Sequence, residues 1–214
     1  TILSNGLQCP LPLEASKTIL LGHGSGGTMT ANLLQQFFLP AFSNPQLDAL
    51  NDQAVLDVNG SRLAFTTDAF VVSPLFFPGG DIGRLAVHGT VNDLAMCGAM
   101  PLGLSSAFIL EEGFPLSDVK RVVESMSTAC REVGVSLVTG DTKVVEKGKG
   151  DGVFITTSGV GLICHSQTIA SDQVRPGDAI LVSGPIGDHG VAVLSAREGL
   201  AFETTLTSDT APLH

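Results

Sequence analysis

The chain contains neither tryptophan nor tyrosine, which removes the aromatic platforms on which single-stranded nucleic acids stack. Basic residues are scarce too. Eleven Lys and Arg against 21 Asp and Glu give a net charge of −10, which argues against a protein that grips a phosphate backbone directly. Nucleotides remain open to an acidic surface when metal ions join carboxylates to phosphates. No apolar run reaches the roughly 18 to 20 residues of a membrane span, and the N-terminus lacks the charged and hydrophobic regions of a leader. The four cysteines, Cys9, Cys97, Cys130 and Cys164, show no C-x-x-C spacing, so a reduced, cytoplasmic setting is expected. Cys130 falls on an apolar helical stripe and reads as a buried thiol.

Hydrophobic residues make up 43% of the chain, enough for a substantial core and too many for disorder. Residues 1–17, with Cys9-Pro10-Leu11-Pro12, read as an extended arm. Ala54–Val58 and Arg62–Thr67 flank Asn59-Gly60 and predict a β-hairpin. Residues 82–97 read as a helix capped by Asp81 and closed by Gly98, and Leu102–Leu110 as a strand. Ser117 is expected to cap a helix in which Val119, Val122, Val123, Met126, Cys130 and Val133 share a face, with Gly134 ending it. Val135–Thr139 and Val153–Ile163 complete the set of strands. This order predicts an α+β domain over 18–165 with a mixed or mainly antiparallel sheet. From 166 the style changes: a turn at Val174–Asp178, a strand at Ala179–Val182 and a helix at Val191–Arg197 read as the truncated start of a second α/β domain, 166–214, too short to bury a core alone.

The stretch Gly22-His-Gly-Ser-Gly-Gly-Thr-Met29 has the glycine spacing of a P-loop, but Thr28 stands where the phosphate-gripping lysine belongs. It also matches G-x-G-x-x-G, yet Pro40–Pro45 reads as a loop where a dinucleotide fold needs a second strand ending in an acidic residue. Aspartates cluster instead at element ends: Asp52, Asp68, Asp81, Asp141 and Asp188, with Asp93 inside a helix beside Asn92. Each alone fits a turn or a cap; together they suit Mg²⁺, which takes hard oxygen ligands and shares them with phosphates. Gly79-Gly80-Asp81 and Gly140-Asp141 set small residues beside carboxylates, as close phosphate approach requires, and Lys143 could counter phosphate charge.

Gly24-Ser-Gly-Gly27, Thr67-Asp68, Gly79-Gly-Asp-Ile-Gly83, Thr90-Val-Asn-Asp-Leu-Ala-Met96 and Thr139-Gly-Asp-Thr-Lys-Val-Val145 occur in that order. Over roughly residues 20–200 they resemble the ATP-binding superfamily of aminoimidazole ribonucleotide synthetase, selenophosphate synthetase and thiamin-monophosphate kinase, and within it the HypE-like hydrogenase-maturation proteins. The resemblance implies a sheet with helices on one face and a homodimer built around a shared β-barrel. The implied reaction is ATP-dependent dehydration of a carbamoylated C-terminal cysteine to a thiocyanate, the source of cyanide for nickel–iron hydrogenases. Implied partners are a carbamoyltransferase and a hydrogenase-assembly scaffold complex. Carried over, Asp52, Asp68, Asp81 and Asp141 would bind Mg²⁺, and Lys143, Asp81 and Asp141 would serve catalysis. Gly24, Gly26, Gly27, Thr67, Asn92 and Lys143 would contact ATP, while Asp93 and Asp188 stand at the margin of the set. With no cysteine after Cys164, the acceptor is expected on a tail this chain lacks. A small-molecule kinase or synthetase of the same superfamily is the alternative, and a non-catalytic dimerisation module the third reading.

Overall fold

The computed structural model describes residues 17–200, 204 and 206–214, so the expected arm at 1–17 lies outside them but for Lys17. Two compact units divide the chain, one up to Ala49 and one from Leu50 onward. In the first, a 3-10 turn at Leu21–Gly24 leads into α1 (Thr28–Leu33), a π-helical turn at Leu34–Phe38 and α2 (Leu39–Phe42). Pro40 lacks an N–H and crowds the carbonyl four residues back, and the widened turn before it relieves that crowding. No strand precedes the glycine-rich stretch among the described residues, so the strand–loop–helix setting of a P-loop is absent there.

The second unit is built on a five-stranded sheet ordered β1-β2-β7-β5-β6. Its strands are β1 (Ala54–Val58), β2 (Ser61–Phe70), β5 (Ala99–Glu111), β6 (Leu137–Val145) and β7 (Val153–Ile163). Short β3 (Phe76–Phe77) and β4 (Gly80–Asp81) pair separately. Only β5 and β6 run parallel, joined by the crossover helix α4 (Leu116–Glu132); the other pairings in the sheet are antiparallel. The hairpin turns at Asn59 and Gly60, both with positive φ, as a two-residue turn matched to strand twist requires. Ser117, expected as the cap, lies inside the helix, whose cap position is Pro115, two residues earlier and without a side-chain cap bond, because proline at the boundary presets the backbone.

Helix α3 (Ile82–Ala95) lies on one face of the sheet and buries Ile82, Ala86, Val87, Val91 and Leu94. On β7 the odd-numbered residues from Val153 to Ile163 are buried beneath the helices while the even-numbered ones are not, the period of two that one covered face imposes. Cys130 is buried in the core as its stripe implied. The mixed sheet with helices on one face is therefore the α+β architecture expected. Beyond Ile163 the outcome is mixed. Helix α5 (Asp188–Glu198) forms and sends Val193 into the core. Ala179–Val182, however, makes no strand, and Ile180 and Leu181 are over 90% exposed, since among the described residues no strand lies beside them to pair with.

Candidate functional site

β2 alternates, with Ala64, Thr66 and Phe70 buried, so Asp68 points into the helix layer between Thr66 and Phe70. There its Oδ2 faces Gly89 of α3, where a Cβ would stand 3.6 Å away. One helical turn on, Asp93 reaches the same corner. Thr66 Oγ1 lies 2.9 Å from both Asp93 Oδ2 and the Asp52 carbonyl oxygen. One hydroxyl proton thus faces two acceptors, and protonated Asp93 would relieve the shortage. Burial pushes the Asp93 carboxyl up to about 6, with Asp68 and Asp52 adding to the rise. Burial also raises Asp68, against the Ala69 amide donating to its Oδ1 at 2.9 Å. Asp52, exposed just before β1, borders a cleft of about 300 Å³ lined by Leu50, Asn51, Gln53, Met96 and Ile169–Ser171. Gln53 is buried at its edge with its Oε1 unpartnered.

Asp81 does different work. Its Oδ1 accepts from the Gly83 and Arg84 amides at 2.8 and 3.1 Å, capping α3, and its Oδ2 accepts from Ser125 Oγ at 2.6 Å. It stands at the opposite end of α3 from Asp93, roughly 18 Å away at 1.5 Å per residue. Asp141 lies on edge strand β6. The register runs Asp68–Thr157–Ser106–Gly140 across the sheet, so Asp141, one residue on, faces the side away from α3 and α4, and three strand spacings put β6 about 14 Å from β2. There Asp141 is exposed and ion-paired with Lys143. The Lys143 ammonium and the Thr142 amide hold its carboxyl below the usual range. Thr67 shares that face and accepts from Ser158 Oγ at 3.0 Å.

The structure therefore joins Asp52 and Asp68 and adds Asp93, while Asp81 and Asp141 occupy other places. Among the described residues, no group of three or more His, Cys, Asp or Glu is placed where these side chains alone could hold a metal ion. The electrostatics at Asp93 nevertheless suit one: a half-buried carboxyl whose proton affinity is raised by burial and by the charges of Asp68 and Asp52 is what a divalent cation with hard oxygen ligands relieves. The glycines divide as well. A Cβ on Gly140 would sit 2.4 Å from the Ser106 carbonyl oxygen, so close strand pairing already requires that glycine. Gly24 and Gly26, in the first unit, have no atom within 4 Å of a Cβ position; Gly26 has φ +75° and its amide donates to Thr30 Oγ1. Asp93 is the carboxylate the sequence reading left at the margin. Its only sequence signal was its place beside Asn92 in a helix otherwise patterned for the core.

A family model described as AIR synthase related protein, N-terminal domain, matches residues 50–163, from the edge of the cleft to the end of β7. Carbamoyl dehydratase HypE of Cupriavidus necator is 59% identical over 210 residues, 98% of this chain and 60% of that protein. A crystal structure of a HypE–HypF complex aligns at TM-score 0.79 and 52% identity, over 87% of this chain and 59% of the other. HypE crystallised in complex with ATP aligns at TM-score 0.70 and 54% identity, over 92% and 58%. The chain thus spans about 60% of the length of these relatives. With more than half of its residues matched by that domain, the chain belongs to the AIR synthase related family.

Proposed function

We propose that this chain is the nucleotide-binding part of an ATP-dependent carbamoyl dehydratase of hydrogenase maturation. The observation that carries the reading is the corner of Asp52, Asp68 and Asp93, where burial and the neighbouring carboxylates raise Asp93 and where Asp52 borders an open cleft. The relatives named HypE, one of them holding ATP, support it. Asp52, Asp68 and Asp93 are the residues to hold Mg²⁺, which when bound would join them to phosphate oxygens and draw off phosphate charge. Gly24, Gly26 and Gly27 keep their backbone open for phosphate approach. Asp81 serves by fixing the start of α3, and so the helix that carries Asp93.

In the whole protein the reaction is dehydration of a cysteine thiocarboxamide. Transfer of the γ-phosphoryl group to the amide oxygen converts a poor leaving group into a good one. Departure of phosphate, with both protons lost from nitrogen, leaves the C≡N of the thiocyanate. Lys143, oriented by Asp141, sits on the sheet face opposite the corner of Asp52, Asp68 and Asp93, so its positive charge serves a phosphoryl group only if one is brought to that face. That pair and Thr67 lie on the sheet face away from α3 and α4, so a homodimer joined through these faces would set them at its seam. A carbamoyltransferase is the proposed donor, in keeping with the relative solved with HypF, and a hydrogenase-assembly scaffold the proposed acceptor complex.

Titration calorimetry of ATP into the chain, with and without Mg²⁺, tests the reading. Binding is expected to require Mg²⁺ and to weaken about tenfold in Asp68→Asn, the loss of one charged contact worth about 1.4 kcal/mol. Equal binding in EDTA, or no binding by a chain with intact circular dichroism, overturns it.

A further inference from the structure

The sequence places Asn92 among phosphate contacts, yet its amide is already engaged. Nδ2 donates to the Ala211 carbonyl oxygen at 3.0 Å, and Oδ1 accepts from the Leu213 amide at 2.8 Å. The segment so held, residues 207–213, also meets the loop before α3. The Ser208 amide donates to the Pro78 carbonyl oxygen at 2.8 Å. Gly79, at φ +90°, leaves room for it, since a Cβ there would come within 2.7 Å of the Ser208 nitrogen. This segment reaches α5 as well. Asp209 accepts from the Gly187 and His189 amides at 3.1 and 2.9 Å, supplying the cap that Gly187 cannot, and Ser208 Oγ lies 3.0 Å from His189 Nδ1.

We propose that Asn92 is a positioning residue: its amide and the Gly79 notch form a clasp for extended backbone, residues 207–213 are its occupant, and through them Asn92 sets the N-terminus of α5. An asparagine amide presents one donor and one acceptor side by side, so it pairs with a passing backbone as a neighbouring strand would. Asn92 and Asp93 are consecutive on α3. If the proposed cation site is right, the helix that carries it and the N-terminus of α5 therefore move as one piece while the clasp is closed. The clasp itself does not depend on that reading.

Amide exchange followed by NMR in the nucleotide-free chain tests it. In Asn92→Ala, the Leu213 amide is expected to exchange at least about fivefold faster, the loss of one ordinary hydrogen bond. The Gly187 and His189 amides, which Asn92 does not touch, should lose protection with it, and the His189 ring resonances should shift. Asn92→Asp keeps an acceptor but no donor, so Leu213 should regain protection. Leu213→Pro removes the donor from the strap without altering α3, and should reproduce the loss at Gly187 and His189 even if Asn92→Ala does not fold. Unchanged protection at Gly187 and His189 in Leu213→Pro, or in a folded Asn92→Ala, overturns the proposal.

Discussion

Asp93 carries the strongest electrostatic signature in the candidate site, and its pH behaviour follows from that. A carboxyl whose folded-state value rises from 3.8 to about 6 holds its proton more tightly in the folded chain than in the unfolded one. Its contribution favours folding fully below about pH 4 and is lost as pH rises through about 6, so at neutral pH the ionised group costs stability. Asp93→Asn is therefore expected to raise Tm at pH 7.5, in the absence of divalent cations, by about 2–4 °C, the equivalent of about 1 kcal/mol in a domain of this size. It should also flatten the fall in stability between pH 4 and 7. Added Mg²⁺ should raise the Tm of the parent chain and not that of the variant. A lower Tm for the variant at pH 7.5 would show that Asp93 is paired rather than repelled. Asp52 and Asp68 stood out in the sequence because turns and strand ends display carboxylates. Asp93 did not, because helical periodicity marks the face turned to the core but not the strand end that crowds one particular turn. Which side of the sheet Asp141 faces was equally hidden, for adjacent strand residues alternate and only the register with β5 decides the parity.

At the scale of elements, two of the helical glycines, Gly83 and Gly190, make opposite predictions from one substitution. Alanine in place of glycine favours a helix by about 1 kcal/mol where space permits. At Gly83 it does not permit. A Cβ would lie 2.6 Å from the Val122 carbonyl oxygen and 2.9 Å from Met126 Cγ, because α3 and α4 meet there. Backbone cannot swing aside, so overpacking of about 1–3 kcal/mol prevails and Gly83→Ala should lower the urea midpoint. At Gly190, in α5, nothing lies within 4 Å of a Cβ, and Gly190→Ala should raise it by the helical gain alone. A stabilised Gly83→Ala would refute the close approach of α3 and α4. The elements themselves were largely legible: the hairpin at Asn59-Gly60, the Asp81 cap and the stripe of α4 each show in a period or a turn residue, whereas the alternation of β7 does not, since Phe154, Val160 and Leu162 fall on its less buried side. Ala179–Val182 has strand composition and no strand, because composition supplies propensity while a strand needs a neighbour. The sequence reads Gly79 as room for phosphate; only the fold reveals that the chain's own Thr207 and Ser208 pack against it.

The sheet has two unlike faces, and the consequence belongs to the whole molecule. One face is sealed by α3 and α4. On the other, Leu56, Leu63, Leu162 and Met100 form one row across four strands, and Phe65 and Val160 stand in the next. Phe65 is 43% exposed and Met100 57%. A contiguous apolar surface of this kind is uncommon on a monomer and marks an interface. Yet each copy carries a net charge of −10, so two copies repel at long range and association must come from apolar area rather than from steering. Two outcomes follow for sedimentation velocity. The chain should run as a dimer whose affinity rises with salt, since screening weakens the repulsion and leaves apolar burial intact. Phe65→Glu, which sets a carboxylate in the middle of the face, should run as a folded monomer, because no cation among the apolar side chains around it would repay the desolvation. A monomeric parent chain at high salt, or a Phe65→Glu variant that stays dimeric, would mean that the open face is not where copies meet.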